Sequence, residues 1–243
     1  MRGDRHVVLG VFSATLLLAP WLGTLDPGFC LSAVAGVFIG SLAPDADAAD
    51  AAIFRGFSGG RGLFRRLIRH TVLVLPLVGY VIRYGIYYPV SALLWICTLG
   101  TIRPQHRGFL HSLPGAFATT GILLLYGALL FGHMGLSLPL HAIVFGAGFF
   151  AGAVLHLLAD TCTRGGIAWG FPFVPLRLAG SFPGGSRDRR PEILAGLLGG
   201  GTVLFLVAAP LGMLPAAVAP AGAACYAAAI WALFLHDTGV HRV

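Results

Sequence analysis

Long apolar runs, broken by short arginine-bearing polar stretches, set the rhythm of this chain. A membrane-crossing helix needs about 20 mostly apolar residues. On that measure the pattern predicts spans over 7–23, 28–43, 70–88, 89–102, 109–131, 140–160, 193–210 and 217–236. Several are short. The pair 70–102 is interrupted at Tyr87, Tyr88 and Pro89 and carries Arg83. It reads as two tilted helices or as one re-entrant hairpin. The expected fold is therefore an all-α polytopic transmembrane bundle of about eight spans, with six plus a re-entrant hairpin as the alternative. Residues 1–243 are expected to form a single integral membrane domain. Its candidate chemistry lies in a core of residues 1–172, followed by a C-terminal helical pair over 193–236.

Composition agrees with lipid as the main solvent. Hydrophobic residues make up 57% of the 243 and charged residues 10%, against about 25% charged in soluble domains. Mean hydropathy is +0.85. The net charge is +7, and all 16 basic residues are arginine. They sit in short loops rather than along one exposed element, so nucleic acid is not the expected partner; the lipid bilayer is. With eight spans, every arginine except Arg83 falls on one side. The positive-inside rule makes that side cytoplasmic, with both termini inside and the plasma (inner) membrane as the location. The first run is read as a retained helix, because no convincing cleavage site precedes Asp26. The segment bearing Arg61, Arg65, Arg66 and Arg69 is an ordinary positive-inside loop or an amphipathic stretch on anionic headgroups. Cys30, Cys97, Cys162 and Cys225 lack CxxC spacing and read as small packing residues, Cys162 being the one near candidate chemistry.

The nine acids and nine histidines carry the remaining information, because ionisable groups at membrane depth are costly and point to function. Asp45 and Asp47 come just after Pro44 at the end of the second run, where two carboxylates can turn toward one cation or cap the next helical turn. His106 and His111 bracket the entry to the fifth, beside Arg107; interfacial His and Arg also simply snorkel. His156 and Asp160 lie one helical turn apart on one face, as two metal ligands or as a self-satisfied pair. His6 stands at the start of the first run. With eight spans all seven fall near the cytoplasmic ends of helices, and mixed His and Asp donors suit zinc or manganese. His133 and His141 lie toward the opposite face. His70, His236 and His241 read as surface features, as does the His236–Asp237 pair.

At these residues the chain resembles the YdjM family of membrane-bound metal-dependent hydrolases. The resemblance rests on His6, on Leu42-Ala-Pro-Asp-Ala-Asp47, on His106-Arg-Gly-Phe-Leu-His-Ser112, and on His156 with Asp160, Thr163 and Gly166. It runs from residue 6 to about Pro172, with a long insertion between Asp47 and His106 and no motif in the last two spans. In ligand order the family is similar to zinc-dependent phospholipase C. That resemblance implies His6, Asp45, His106, His156 and Asp160 as metal ligands, with Asp47 and His111 supporting or adding to them, around one to three zinc ions or manganese in their place. The expected function is a metal-dependent hydrolase at the cytoplasmic face that cleaves a phosphoester or lipid-linked substrate. Asp47 or Asp45 would take the proton from water, Arg107 and Arg164 would hold a phosphate, and His111 would assist. The alternatives are a non-catalytic metal-binding protein and a structural or partner-binding one whose His/Asp pairs lock helices.

Overall fold

A computed structural model describes residues 1, 3–55, 74–103, 105–183, 188–208, 211, 213–215 and 217–243. The Arg61–Arg69 stretch, Arg2, His70 and Arg187 lie outside the described residues. The fold is helical, as the apolar runs predict. In chain order the helices are α1 (Gly3–Leu18), α2 (Pro27–Gly40), the single turn α3 (Ala52–Arg55), α4 (Val74–Cys97), α5 (Leu113–His133), α6 (Leu140–Thr161), α7 (Arg190–Ala208) and α8 (Ala219–Asp237). By length and composition α4 to α8 are long and apolar enough to cross a membrane, while α2 is a shorter apolar helix. Strands β1 (Ile167–Ala168), β2 (Arg177–Ala179) and β3 (His241–Arg242) form a small antiparallel sheet in order β1-β2-β3. Strands β1 and β2 come after α6, in a stretch whose sequence reads only as polar loop, and β3 joins them from beyond α8.

Helices α2 and α6 form the centre. Both carry glycine pairs four apart, Gly36 with Gly40 and Gly148 with Gly152. A side chain at any of them would run into the backbone of the other helix: Phe145 and Phe149 for the first pair, Ala33 and Val37 for the second. Small residues at this spacing let two membrane helices touch along their backbones. The approach brings the end of α2 and the turn after it against the last turns of α6. Helices α1, α7 and α8 pack as a second group around Leu9, Leu16, Leu198, Ala223 and Trp231. Trp231 Nε1 donates to Ser13 Oγ at 3.0 Å, tying α8 to α1.

Over 70–102 the structure corrects the expectation. The described part is neither two helices nor a hairpin, but one helix running through Pro89. Residues Val81–Tyr87 are π-helical, and the Tyr88 N–H bonds to Arg83 O. Proline lacks the N–H that would bond to the residue four before it. That residue is Gly85, and its carbonyl instead accepts from Tyr126 Oη on α5 at 2.7 Å. A satisfied carbonyl and a wider helical turn remove the reason to break. Arg83 is accordingly not at a hairpin tip; it packs over Phe54 and Tyr88 and donates to Tyr88 Oη at 3.3 Å. Near one end of α4, Gly79 lies against Ile53 and Phe54. Near the other, Ser91 and Leu94 share a crevice with Gln105 and Phe109. Both ends thus touch segments flanking the candidate residues. Tyr80, Tyr84, Tyr88 and Trp95 are exposed along it, the residue types enriched at membrane–water interfaces.

Candidate metal centre

Four segments deliver the acid and histidine side chains to one end of the bundle. His6 comes from the first turns of α1. Asp45 and Asp47 come from a 3-10 turn, Ala43–Asp47, that Pro44 opens after α2 ends. His111 closes a second 3-10 turn, Phe109–His111, just before Ser112 caps α5 by accepting from the Gly115 N–H. His156 and Asp160 come from the end of α6. His6, His111, His156 and Asp160 are almost fully buried.

The four imidazoles form a ladder. His6 stacks on His156 with ring centres 3.8 Å apart and planes 14° apart. His111 meets His156 edge-on at 5.3 Å, and His106 meets His111 at 5.1 Å. Carboxylates fill the spaces between them. His6 Nε2 lies 3.3 Å from Asp160 Oδ1. His156 Nε2 lies 3.6 Å from Asp160 Oδ2 and 3.7 Å from Asp45 Oδ1. His111 Nε2 lies 3.4 Å from Asp45 Oδ1 and 3.9 Å from Asp160 Oδ2. On its other side, His111 Nδ1 lies 3.5 Å from Asp47 Oδ2. Asp47 Oδ1 then bonds His106 Nδ1 at 2.9 Å, and the His106 side chain is 53% exposed.

These distances test whether the residues suit an ion. Among the described residues, three donor groups are compact enough for one: His6, His156 and Asp160; Asp45, His111 and His156; Asp47, His106 and His111. A tetrahedral ion with bonds of about 2.1 Å needs donor atoms roughly 3.4 Å apart. The spacings measured between Asp45, Asp160 and the inner histidine nitrogens run from 3.4 to 3.9 Å, so a small contraction would close them on an ion. The histidine nitrogens support the fit. His156 Nδ1 bonds to Ser41 O at 2.8 Å; a carbonyl only accepts, so Nδ1 carries the proton and Nε2 presents its lone pair. That partner on the far nitrogen is how proteins orient metal-binding histidines. Both nitrogens of His6, both of His111 and Nε2 of His156 are buried with no hydrogen-bond partner. Unpaired buried polar atoms are rare and costly, and here four of the five, all but His6 Nδ1, lie within 4 Å of a carboxylate oxygen. Because His156 offers one nitrogen, the two groups that share it form one pocket rather than two independent sites.

Electrostatics follow from this packing. Burial alone would raise the carboxyls of Asp45 and Asp47. Asp45 is nevertheless held well below the usual range by His156, His111 and His6, and Asp47 is lowered by His106 and His111. Burial alone would lower His111, but Asp45 and Asp47 on either side bring it up to about 9.

Arg107 adopts a left-handed φ of 61°, uncommon for a residue with a side chain. The turn aims its N–H at Asp47 Oδ2, 3.2 Å away. Its guanidinium reaches back to Asp160 Oδ2 at 3.5 Å, Thr163 Oγ1 at 3.5 Å and Gly166 O at 3.4 Å. Any side chain at Gly165 would strike it. The Met1 amine also lies 3.2 Å from Asp160.

The structure thus gathers His6, Asp45, Asp47, His106, His111, His156, Asp160 and Arg107. It sets His111 among the inner donors and His106 at the exposed rim. Arg164 stands apart, donating to Ser181 O at 3.3 Å. Cys162 turns back to Leu158 O at 3.5 Å, and burial pushes its thiol up to about 11. His141 lies 3.8 Å from Asp26, the cap of α2 at the end of that helix away from the site. Sequence reasoning missed the Ser41 carbonyl and the glycine pairs that bring it to His156. Their four-residue spacing inside apolar runs was the available signal.

The model of the YdjM inner membrane protein family matches residues 89–236, more than half of the chain. The chain belongs to the YdjM family. The match takes in His106, His111, His156 and Asp160, and extends over α7 and nearly all of α8, which carry no motif of their own. It begins after His6, Asp45 and Asp47, which therefore stand on the geometry alone. Membership and the apolar helices make this YdjM-family chain an integral membrane protein. Neither a curated protein nor a solved structure matches it.

Proposed function

We propose that this YdjM-family protein is a metal-dependent hydrolase whose centre lies at the cytoplasmic face and cleaves a phosphoester in a lipid or lipid-linked substrate. One observation carries the reading: four buried histidine nitrogens without hydrogen bonds, His6 Nε2, His111 Nδ1 and Nε2 and His156 Nε2, face a cluster of acid side chains at ion-binding spacing. A helix-locking role would pair those nitrogens, and a metal carrier would string donors between the two faces rather than gather them at one end.

Asp45, His111, His156 and Asp160 would hold the inner ion, His6 would complete it or take a second, and Asp47, His106 and His111 Nδ1 form the outer group. Zinc suits this donor set, with manganese the alternative. Such an ion supplies Lewis acidity, making water a nucleophile near neutral pH and polarising the scissile group. Cleavage adds water across the phosphorus–oxygen ester bond. Asp47 takes the proton from the water, and the leaving alcohol oxygen receives a proton in turn. The bond from Asp47 to half-exposed His106 gives that proton a route to solvent. Arg107 fixes Asp160 and stays one-quarter exposed, so its guanidinium can also face a phosphate oxygen.

In this reading α1, α2 and α5 to α8 cross the membrane. Helix α4, although long and apolar enough to cross, lies along the interface because both its ends touch segments flanking the site. All donors then sit at one face and both termini inside. A cysteine at exposed Gln105 is then labelled from the cytoplasm and one at Gly23 from outside; the reverse pattern refutes the orientation. The activity test is hydrolysis of phosphodiester and phospholipid panels by protein in nanodiscs with zinc or manganese. Turnover lost in His156→Ala supports the proposal, and no turnover across the panels in either metal counts against it.

A further inference from the structure

Helices α7 and α8 leave a groove of about 240 Å³ between them. Its floor is Leu194, Ile230 and Phe234, which are buried in the core shared with α1. Its walls are Ile193 and Leu197 on α7 and Leu233 on α8, all exposed. Arg190 and Asp237 stand at one end. From Arg190 to Leu197, and from Asp237 back to Ile230, is a rise of about 10 Å along each helix. Spread over that length, the volume gives a channel about 20–25 Å² in section. A single hydrocarbon chain fills such a channel. A helix with its side chains, about 10–12 Å across, does not enter it. An apolar cavity of roughly 150 Å³ already takes up a hydrocarbon guest.

The charged end of the groove lies where the two helices leave the membrane, since α7 begins at Arg190 and α8 ends at Asp237. It is also the end of the bundle that holds the His/Asp cluster. Arg5, next to His6, pairs with Glu192 in the first turn of α7. Arg190 packs over Phe182, whose N–H bonds to Cys162 O just beyond Asp160.

The charges at this mouth select among headgroups. Asp188 grips Arg190 through Nε and Nη2, at 3.0 and 2.7 Å. Asp237 Oδ2 lies 3.7 Å from Arg190 Nη1, too far for a hydrogen bond, and the Asp237 side chain is 62% exposed. Two carboxylates thus face one guanidinium, and Nη1 is the edge that Asp188 leaves to another oxygen. The end of α8 adds the negative pole of its helix dipole beside Asp237. A headgroup carrying a phosphate and a primary ammonium matches this pair, with a phosphate oxygen on Arg190 Nη1 and the ammonium on Asp237. An anionic headgroup without an amine would set its charge against two carboxylates. A quaternary ammonium would offer Asp237 no N–H.

We infer that the α7–α8 groove binds a phospholipid with a primary-amine headgroup, one acyl chain lying between the helices and the headgroup spanning Arg190 and Asp237. No residue of the His/Asp cluster takes part, so the inference does not rest on the hydrolase reading.

The experiment uses the full chain in nanodiscs doped with lipids that carry a photoreactive diazirine on the acyl chain and differ only in headgroup: ethanolamine, choline or glycerol. Adducts are mapped by mass spectrometry. Leu197 and Leu233 are expected to take about fivefold more label from the ethanolamine lipid than from the glycerol lipid, the upper worth of an exposed ion pair. Phe117 is 72% exposed and four residues from the site end of α5, as Leu233 is from that end of α8; it should be labelled alike by all three. Asp237→Asn removes the charge but leaves Arg190 on Asp188, and is expected to level the three headgroups in the groove. Leu197→Trp and Leu233→Trp fill the groove from opposite walls at exposed positions, and either is expected to remove the adducts on the other wall. Equal groove labelling by the three headgroups, a preference unchanged in Asp237→Asn, or groove labelling no higher than at Phe117 overturns the inference. Labelling that is lost in nanodiscs holding two chains assigns the groove to a second copy and overturns it as well.

Discussion

Gly40→Ala should disturb the proposed metal centre without touching a donor. A Cβ at Gly40 would stand 2.8 Å from the Phe149 carbonyl carbon and nearer still to its oxygen, where contacts below 3.0 Å essentially never occur. The obstacle is helix backbone, which cannot rotate away, so α2 and α6 must part by several tenths of an ångström at least. Overpacking of this kind costs about 1–3 kcal/mol. Ser41, the next residue, moves with α2, and its carbonyl holds His156 Nδ1 at 2.8 Å. Loss of that bond adds about 0.5–1.5 kcal/mol, for roughly 2–4 kcal/mol together. The same opening widens the Asp45–His156 spacing, already 3.7 Å. Disturbing the partners that orient a metal's ligands typically weakens binding by about 10–100-fold. The assay is thermal unfolding in detergent, with zinc affinity measured by competition against a chelating dye. Gly121→Ala and Gly196→Ala are controls, since a Cβ at either position meets nothing within 4 Å; they should be neutral, or stabilising by up to about 1 kcal/mol. Wild-type melting and zinc affinity in Gly40→Ala would refute the idea that backbone contact between α2 and α6 sets the donors.

Other outcomes rest on the same geometry. His111 is raised above its ordinary value of about 6.5, to about 9. The stabilisation it gives the metal-free fold is complete below about pH 6.5 and is lost as pH rises through about 9; melting of chelator-treated protein should fall across that window, and constant melting would contradict the His111–carboxylate pairing. Zinc uptake at pH 7 should release a proton from His111, measurable in weakly buffered solution. Asp160→Asn keeps the shape but removes a donor, so zinc stoichiometry should drop; unchanged zinc content with lowered stability would favour a helix-locking role. Gly165→Ala displaces the Arg107 guanidinium and should weaken zinc binding less than Asp160→Asn, because the guanidinium reaches the donors only through Asp160 while the Arg107 N–H stays on Asp47.

Much of the fold is legible in the apolar runs, because membrane helices are read from length and hydropathy. The runs 28–43, 140–160, 193–210 and 217–236 lie within three residues of α2, α6, α7 and α8 at each end. The start of α5 is less legible. His111 reads as sitting inside that helix, but Ser112 caps it and leaves His111 in the preceding turn, where the ring can face two acids. The 70–102 stretch misleads because Pro89 signals a break only while Gly85 O lacks another donor; Tyr126, 41 residues away, supplies one. The i,i+4 spacing of His156 and Asp160 fixes their shared face directly. That His111 lies deeper than His106 does follow from their spacing at the start of the run. That His111 rather than His106 stands among the inner side chains beside Asp45, the place the resemblance gave to His106, does not. It depends on the left-handed turn at Arg107, which swings His106 outward onto Asp47.

The most direct test of the metal centre is elemental analysis of protein purified gently and without chelators, wild type beside His156→Ala. Wild-type protein should carry one to three zinc or manganese ions per chain, and His156→Ala should lose the inner one while still folding. Wild-type protein without stoichiometric metal, or equal metal in both, would contradict a metal centre built on His156.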